Sequence, residues 1–224
     1  SRGLGDVYKR QVYTGTRADR KRALEDEEMR KVFGRLPELP EVTPDLRHAQ
    51  NLFILMFLLR GLPFVDLAYL RKSDLRDNVI TYRRRKTGRS LSVTLAPEAM
   101  VLLRRYMDRN ESSPYLFPIL SSDEGTEEAY REYQLALRSF NQKLMLLGKL
   151  MGMEGKLSSY TARHTWATTA YHCEIHPGII SEAMGHSSIT VTETYLKPFH
   201  NKKIDEANKK IVDFVRRSTG WAIV

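Results

Sequence analysis

The sequence has little of what defines several common protein classes. It holds a single cysteine, Cys173, among 224 residues, which excludes an internal disulfide and a cysteine-based zinc site and points to a reducing compartment. Its longest apolar run, residues 52–59, is followed at once by a charged residue, Arg60, and is far shorter than the roughly 20 residues that span a bilayer. We therefore expect no membrane segment and a cytoplasmic setting.

Two signatures of nucleotide and metal chemistry are also missing. The sequence contains no Gly-x-x-x-x-Gly-Lys phosphate loop, which argues against a reaction driven by ATP. No compact cluster of carboxylates accompanies the candidate residues discussed below, as a divalent metal site would require. The sequence therefore predicts neither a cofactor nor a metal.

Positive charge is what the sequence does have. Lys and Arg number 36 against 27 Asp and Glu, which gives a net charge of +9 and a sequence pI of about 9.6. Such a balance favours polyanionic partners, nucleic acid first and acidic membrane surfaces second. On charge alone, a basic domain without such a partner is equally compatible. The hydrophobic content of 42% is sufficient for the core of one large domain.

Hydrophobic periodicity predicts a mainly α protein with a small antiparallel β-hairpin or sheet. Helices are expected over residues 25–33, 44–59, 64–70, 97–108, 127–151, 177–183 and 202–215, together with one that Ser158 or Ser159 caps and that carries Arg163. Residues 79–85 and 90–95 form the predicted hairpin, with Lys86-Thr87-Gly88-Arg89 as its turn, and residues 110–125 form a loop. The last helix is amphipathic, with one apolar stripe and one face rich in lysine.

Three polar segments in the second half carry residues suited to phosphate chemistry. They are Arg163-His164-Thr165, Gly185-His186-Ser187 and Thr192-Glu193-Thr194-Tyr195. An arginine offers a planar fork of donors for phosphate oxygens, a histidine exchanges protons near neutral pH, and a tyrosine hydroxyl can act as a nucleophile. Taken singly, each of these residues is more often structural than catalytic.

In order and spacing, these segments closely resemble the catalytic domain of the tyrosine recombinase (phage integrase) family. The resemblance runs from about Leu24 to about Val215. It implies the fold of that domain, which breaks and rejoins DNA. It also implies that Tyr195 attacks a DNA phosphodiester, forms a 3′-phosphotyrosyl link and frees a 5′-hydroxyl, with Arg163 and His186 around the phosphate.

The resemblance assigns a role to one further residue, Lys86, and shows one departure from the family pattern, Tyr160. Lys86, in the Lys-Thr-Gly of the hairpin turn, is implied to be the general acid that protonates the departing 5′-oxygen. Tyr160 stands three residues before Arg163, where the family commonly has His or Lys. Its hydroxyl can donate to a phosphate oxygen but is a poor base at neutral pH. Any base role would therefore pass to His186.

The first arginine of the family pattern is missing. It usually stands two residues after a glycine, and here the corresponding turn, Arg60-Gly61-Leu62-Pro63, has a proline in that place. We expect Arg60, one helical turn earlier, to substitute for it. The alternative is that Arg60 interacts only with the dipole of the helix that ends there.

The hairpin concentrates positive charge at its turn. Arg83, Arg84, Arg85 and Arg89 surround Lys86 and are expected to reach into a DNA groove or along its backbone. A solvated basic strand end or a localisation patch is the alternative.

The resemblance also divides the chain and suggests partners. Residues 1–23 are interpreted as a non-native or linker segment, residues 24–215 as the catalytic domain and residues 216–224 as a C-terminal tail, with the N-terminal core-binding domain absent. The expected partner is double-stranded DNA, bound by a tetrameric synapse of protomers that are monomers when free. Helix 202–215 either packs on a neighbouring protomer or folds back on its own domain.

The predicted function is that of a site-specific DNA recombinase or integrase, acting on the nucleoid in the bacterial cytoplasm. A catalytically impaired DNA-binding relative is one alternative, and a type IB topoisomerase-like enzyme is another. A generic RNA-binding helical domain is disfavoured because no RRM or KH signature is present.

Overall fold

The computed structural model describes residues 23–193 and 201–220. Tyr195 lies outside the described residues, and so do most of segment 1–23 and the end of the tail. In chain order the elements are α1 (Asp26–Phe33), α2 (Pro44–Leu58), α3 (Phe64–Tyr69), a 3-10 turn (Lys72–Asp74), β1 (Leu75–Arg76), β2 (Val79–Arg83), β3 (Ser90–Thr94), α4 (Pro97–Tyr106), α5 (Glu127–Leu150), α6 (Ser159–His172), α7 (Pro177–Met184), α8 (Ile189–Glu193) and α9 (Asn201–Thr219). The mainly α prediction is confirmed.

The buried helix predicted near the centre of the domain is α2. Thr43 caps it by accepting a hydrogen bond from the Leu46 N–H at 3.3 Å, and Pro44 occupies the first helical turn, where no N–H is needed. Phe53 and Met56 are completely buried. The helix packs against α4, α5 and α6, so its broad apolar surface forms the centre of the core.

The long helix α5 supplies one side of that core. Thr126 caps it by accepting from the Ala129 N–H at 3.2 Å, and the apolar stripe expected from the sequence is buried at Phe140, Leu144 and Leu147. The Phe140 ring stacks on Phe64 of α3 with centroids 4.9 Å apart. This contact holds α3, the helix that begins beside the candidate site, against the core.

The three strands form one antiparallel sheet in the order β1-β2-β3. The hairpin pairs Val79 with Thr94 at one end and Arg83 with Ser90 at the other, as the sequence predicts, but the two-residue strand β1 was not expected. Strand β2 ends two residues earlier than predicted because Arg84 begins the turn, its N–H donating to the Arg89 carbonyl at 2.7 Å.

The predicted loop 110–125 is irregular in structure but not peripheral. Tyr115, Leu116 and Phe117 are almost completely buried, and the Tyr115 hydroxyl donates to the Ser122 carbonyl at 2.7 Å. A composition rich in Ser, Pro, Asp and Glu predicts the loop, while these buried residues and Leu120 extend the core beside α3.

The C-terminal helix α9 extends beyond the predicted range 202–215. Its apolar residues Ile204, Ile211 and Phe214 are 55%, 63% and 71% exposed, so they do not pack on the domain. Its contact with the domain is polar: the Lys203 ammonium lies 2.7 Å from the Glu174 carboxylate. Across residues 23–193 and 201–220, no helix combines the length and apolarity that a membrane crossing needs.

Candidate active site

Arg163 is held rigidly at the start of α6. The helix begins where the Ser158 N–H donates to the Thr161 hydroxyl at 3.1 Å, and Arg163 follows in the second turn, 4% exposed. One terminal nitrogen donates to the Gly61 carbonyl at 2.9 Å and the other to the Met184 carbonyl at 2.8 Å. The guanidinium is therefore fixed by backbone groups from two separate segments.

His186 follows the turn that ends α7. Gly185 adopts the left-handed conformation there, with φ +63°, which a residue without Cβ reaches at no steric cost. The His186 ring is buried, and its Nδ1 lies 2.7 Å from the Thr192 hydroxyl of α8. This hydrogen bond fixes the imidazole to the helix that ends two residues before Tyr195.

Lys86 lies at the exposed tip of the hairpin turn, which is docked against the segment that carries His186. The Thr87 hydroxyl donates to the Gly185 carbonyl at 3.1 Å, and the Arg89 guanidinium donates to the His186 carbonyl at 2.7 Å. These two contacts hold the turn that carries Lys86 against the segment that carries His186, although the two residues are far apart in the sequence.

These segments enclose one cavity of about 290 Å³. Lys86, Tyr160, Arg163 and His186 all line it, so four of the six predicted catalytic residues meet there. Tyr160 is at the solvent side, 47% exposed, with its ring 4.8 Å from that of His164. A fixed guanidinium, an imidazole, an ammonium and a phenol around one small cavity are suited to bind and polarise a phosphate.

Arg60 is not among the residues that line this cavity. Together with Gly61 it forms a left-handed turn, with φ +61°, and it lines a second cavity of about 880 Å³ beside Arg89 and Trp166. The turn brings the backbone of Gly61, and not the Arg60 side chain, against Arg163. The geometry therefore does not support Arg60 as the substitute for the missing arginine.

The hairpin arginines differ in their surroundings. Arg83 is exposed and donates to the Gly88 carbonyl at 2.6 Å, while Arg85 lies over the Tyr69 ring at 3.7 Å and binds Glu124 at 2.5 Å. Arg89 is exposed at the edge of the second cavity.

Arg84 is the exception among them, because it is only 5% exposed. Its Nε lies 3.4 Å from the Asp66 carboxylate, and its Nη1 donates to the carbonyls of Met184 and Gly185 at 3.1 and 3.2 Å. Its guanidinium thus lies buried in the wall of the smaller cavity and not exposed at the hairpin turn, which corrects the expected surface role.

Sequence reasoning missed Asp66. The residue is 3% exposed and accepts a hydrogen bond from the Arg85 N–H at 2.9 Å. Burial raises the pKa of its carboxyl, opposed by that hydrogen bond and by the charges of Arg84 and Arg163. The sequence signal for Asp66 is that it is a lone carboxylate in the otherwise apolar helix Phe64–Tyr69. A carboxylate buried in such a helix requires a cationic or donor partner.

Within the part of the chain that the structure describes, no group of three or more His, Cys, Asp or Glu side chains could hold a metal ion. The charged groups that converge on the cavity are cationic. They provide an environment for an anion, whose charge their donors can compensate directly.

The sequence and the fold match a known class of protein. The model of the phage integrase family matches residues 24–202, so the chain belongs to the phage integrase family. Among its relatives is the tyrosine recombinase XerA of Pyrococcus furiosus, 25% identical over 179 residues that make up 79% of this chain and 57% of that protein. The chain thus spans less than two thirds of the length of this curated relative.

Solved structures show the same fold. The crystal structure of XerA recombinase superimposes with a TM-score of 0.57 and 20% identity, covering 84% of this chain and 65% of that one. The integrase of the transposon Tn1549, solved in complex with transposon right end DNA, gives a TM-score of 0.62 and 14% identity, covering 88% of this chain and 68% of that one. The fold is therefore that of tyrosine recombinase catalytic domains.

Proposed function

We propose that this chain is the catalytic part of a site-specific DNA recombinase or integrase, which cleaves and rejoins double-stranded DNA through a 3′-phosphotyrosyl intermediate. The observation that carries the proposal is the single cavity lined by Lys86, Arg163 and His186, whose side chains come from three segments distant in the sequence. Family membership and the DNA bound to the Tn1549 integrase support it.

In the proposed reaction, Arg163 and His186 bind the non-bridging oxygens of one phosphate. They stabilise the additional negative charge of the five-coordinate transition state, which donors already fixed in place do without reorganisation. The backbone hydrogen bonds of Arg163 at 2.8 and 2.9 Å provide that preorganisation. Tyr160 adds a hydroxyl donor at the solvent side of the cavity.

Tyr195 is the proposed nucleophile. Its phenol oxygen forms the new bond to phosphorus and gives up its proton to His186. The bond to the 5′-oxygen breaks in the same step, and Lys86 transfers a proton to that departing oxygen. Since one phosphodiester is exchanged for another, a 5′-hydroxyl can reverse the step without ATP. Tyr195 follows α8 in the sequence, and the contact of Thr192 of α8 with the His186 ring supports this role.

The proposal includes the partners and the setting. Arg83 and Arg89, both exposed on the hairpin, are suited to contact the DNA backbone, where arginine contacts supply affinity without reading sequence. A tetrameric synapse of protomers, with α9 docked on a neighbour, accounts for the exposed stripe of that helix. The proposed location is the bacterial cytoplasm, on nucleoid DNA.

Covalent trapping tests the proposed function. Duplexes of randomised sequence, each nicked so that the short strand beyond the cleaved phosphate diffuses away, are incubated with the protein and resolved in denaturing detergent. A protein band carrying labelled DNA is expected for the wild type, and Tyr195→Phe should abolish it while leaving DNA binding within about twofold, because only the nucleophilic oxygen is removed.

Two alternative functions predict different results when the same protein is assayed for DNA binding, adduct formation and plasmid relaxation. DNA binding without any adduct would favour a catalytically impaired DNA-binding relative, which Pro63 on the cavity wall suggests. Relaxation of supercoiled plasmid by free swivelling, without strand exchange between duplexes, would instead favour a type IB topoisomerase-like enzyme.

A further inference from the structure

The candidate site contains a second buried guanidinium for which the proposed mechanism has no use. Arg84 lines the same 290 Å³ cavity as Lys86, Arg163 and His186. Its Nε and Nη1 are occupied by Asp66 and by two backbone carbonyls. Its Nη2 makes no hydrogen bond to any described residue, so this nitrogen remains available to a ligand.

The surroundings of Arg84 leave it little freedom. Its Cδ lies so close to Gly185 that a Cβ on that glycine would be 2.8 Å away, and the adjacent N–H of Arg85 is bonded to Asp66 at 2.9 Å. The guanidinium is thus held by the backbone of α7 and by a carboxylate of α3. Such fixed placement is typical of a preorganised ligand and not of a mobile surface arginine.

The charges around the cavity are unbalanced. Arg84 and Arg163 both donate to the Met184 carbonyl, at 3.1 and 2.8 Å, so two guanidinium groups lie side by side. Asp66 is the carboxylate that pairs with Arg84, and the ammonium of Lys86 adds a third positive charge at the rim. Neighbouring like charges in a buried site repel one another, and an anion bound between them relieves that repulsion.

Pro63 connects this arrangement to the missing side chain. It lines the same cavity and begins α3, in which Asp66 is the third residue. Arg84 reaches across from the hairpin to bind that Asp66. Arg84 therefore supplies a guanidinium to the same cavity that an arginine at position 63 would also line.

We propose that Arg84 is a catalytic residue that binds a non-bridging oxygen of the scissile phosphate through Nη2, in place of the side chain that Pro63 lacks. The inference deepens the proposed function and rests on it for the identity of the phosphate. Asp66 is then a positioning residue, which acts by holding the Arg84 guanidinium.

Cleavage of two substrates by Arg84→Gln tests the assignment. On normal DNA, adduct formation should fall about a hundredfold or more, the usual effect of losing one transition-state donor. On DNA whose scissile phosphate is a neutral methylphosphonate, the deficit should shrink to less than about fivefold, because the non-bridging charge that needs a guanidinium is gone. An equal deficit on both substrates would mean a structural role and overturn the proposal.

A rescue variant, in which an arginine at another position restores the guanidinium, distinguishes a loss of function from poor folding. The double variant Pro63→Arg with Arg84→Gln should recover at least about tenfold of the lost adduct formation, since a donor returns to the same cavity. Arg84→Lys, which keeps a charge against Asp66, provides a second, better folded probe and should remain impaired on normal DNA. No recovery in a double variant with wild-type thermal stability would contradict the proposal.

Binding of inorganic phosphate separates this inference from the proposed function. Titration followed by amide chemical shifts should show saturable binding at the cavity, weakened about tenfold or more by Arg84→Gln, as loss of a charged donor predicts. The matched control Arg131→Gln removes an exposed arginine that pairs with Glu127 on α5 and should leave the affinity unchanged. Equal affinities in wild type and Arg84→Gln, or no saturable binding in the wild type, would overturn the inference. Arg84-dependent phosphate binding without any DNA adduct would refute only the recombinase assignment.

Discussion

Residues of the β2–β3 hairpin line two cavities, which differ in volume and in the rest of their lining. The smaller, of about 290 Å³, takes Arg84 and Lys86 from the hairpin. The larger, of about 880 Å³, takes Arg89, and its other lining residues combine apolar side chains such as Trp166 with the charged Arg60 and Glu182. Size alone would favour the larger as the functional site. The smaller is the better candidate because two buried guanidinium groups held by backbone carbonyls, those of Arg84 and Arg163, line it together with Lys86 and His186.

The largest effect that would separate the two cavities is expected from Arg163→Ala. Removing a guanidinium held at 2.8 and 2.9 Å by two carbonyls should lower adduct formation about a thousandfold, at the upper end of the range for loss of one oxyanion donor. The rate is measured by single-turnover trapping on nicked DNA. A variant with near wild-type rate would mean that the smaller cavity is not the reaction site.

Lys86→Ala should have the next largest effect, about a hundredfold, because loss of a general acid typically costs that much. The matched control is a substrate whose 5′-bridging oxygen is replaced by sulfur, a leaving group that needs no proton. On it, variant and wild type should cleave at similar rates in the same gel assay. A lysine that only binds DNA would be impaired on both substrates.

Gly61→Ala should lower the stability of the fold at the turn that packs against Arg163. Gly61 has φ +68°, and an added Cβ would lie 2.8 Å from the Cα of Arg163, so the backbone must shift. We expect a loss of about 1–3 kcal/mol in the free energy of unfolding, within the range for backbone strain, measured by urea denaturation. Unchanged stability would show that the turn between α2 and α3 yields more easily than its contacts indicate.

Arg60 should give the smallest effects. Because its side chain lines the larger cavity, Arg60→Ala should change adduct formation by less than about twofold if oxyanion stabilisation belongs to the smaller one. Arg60→Gly should stabilise the fold by up to about 1 kcal/mol, since φ +61° costs a glycine nothing. A large loss of adduct in Arg60→Ala would restore the expectation drawn from the sequence.

The sequence predicts those parts of the site that depend on local patterns. Capping residues and apolar periodicity locate the helix that carries Arg163 and the helix that ends just before His186, and turn residues locate Lys86. The orientations of Arg60 and Arg84 could not be obtained this way. The first depends on a left-handed backbone turn, and the second depends on carbonyls 100 and 101 residues away. The role of Tyr195 stays a prediction, because that residue lies outside the described structure.

The uncovered stripe of α9 has a consequence for the timing of the chemistry. Tyr195 lies in the sequence between α8 (Ile189–Glu193) and α9 (Asn201–Thr219), and the exposed stripe of Ile204, Ile211 and Phe214 belongs to α9. In the proposed synapse, a neighbouring protomer that covers this stripe would restrain α9, while the contact of Thr192 with His186 restrains α8. Assembly would then position the phenol of Tyr195 only in a protomer whose last helix is docked.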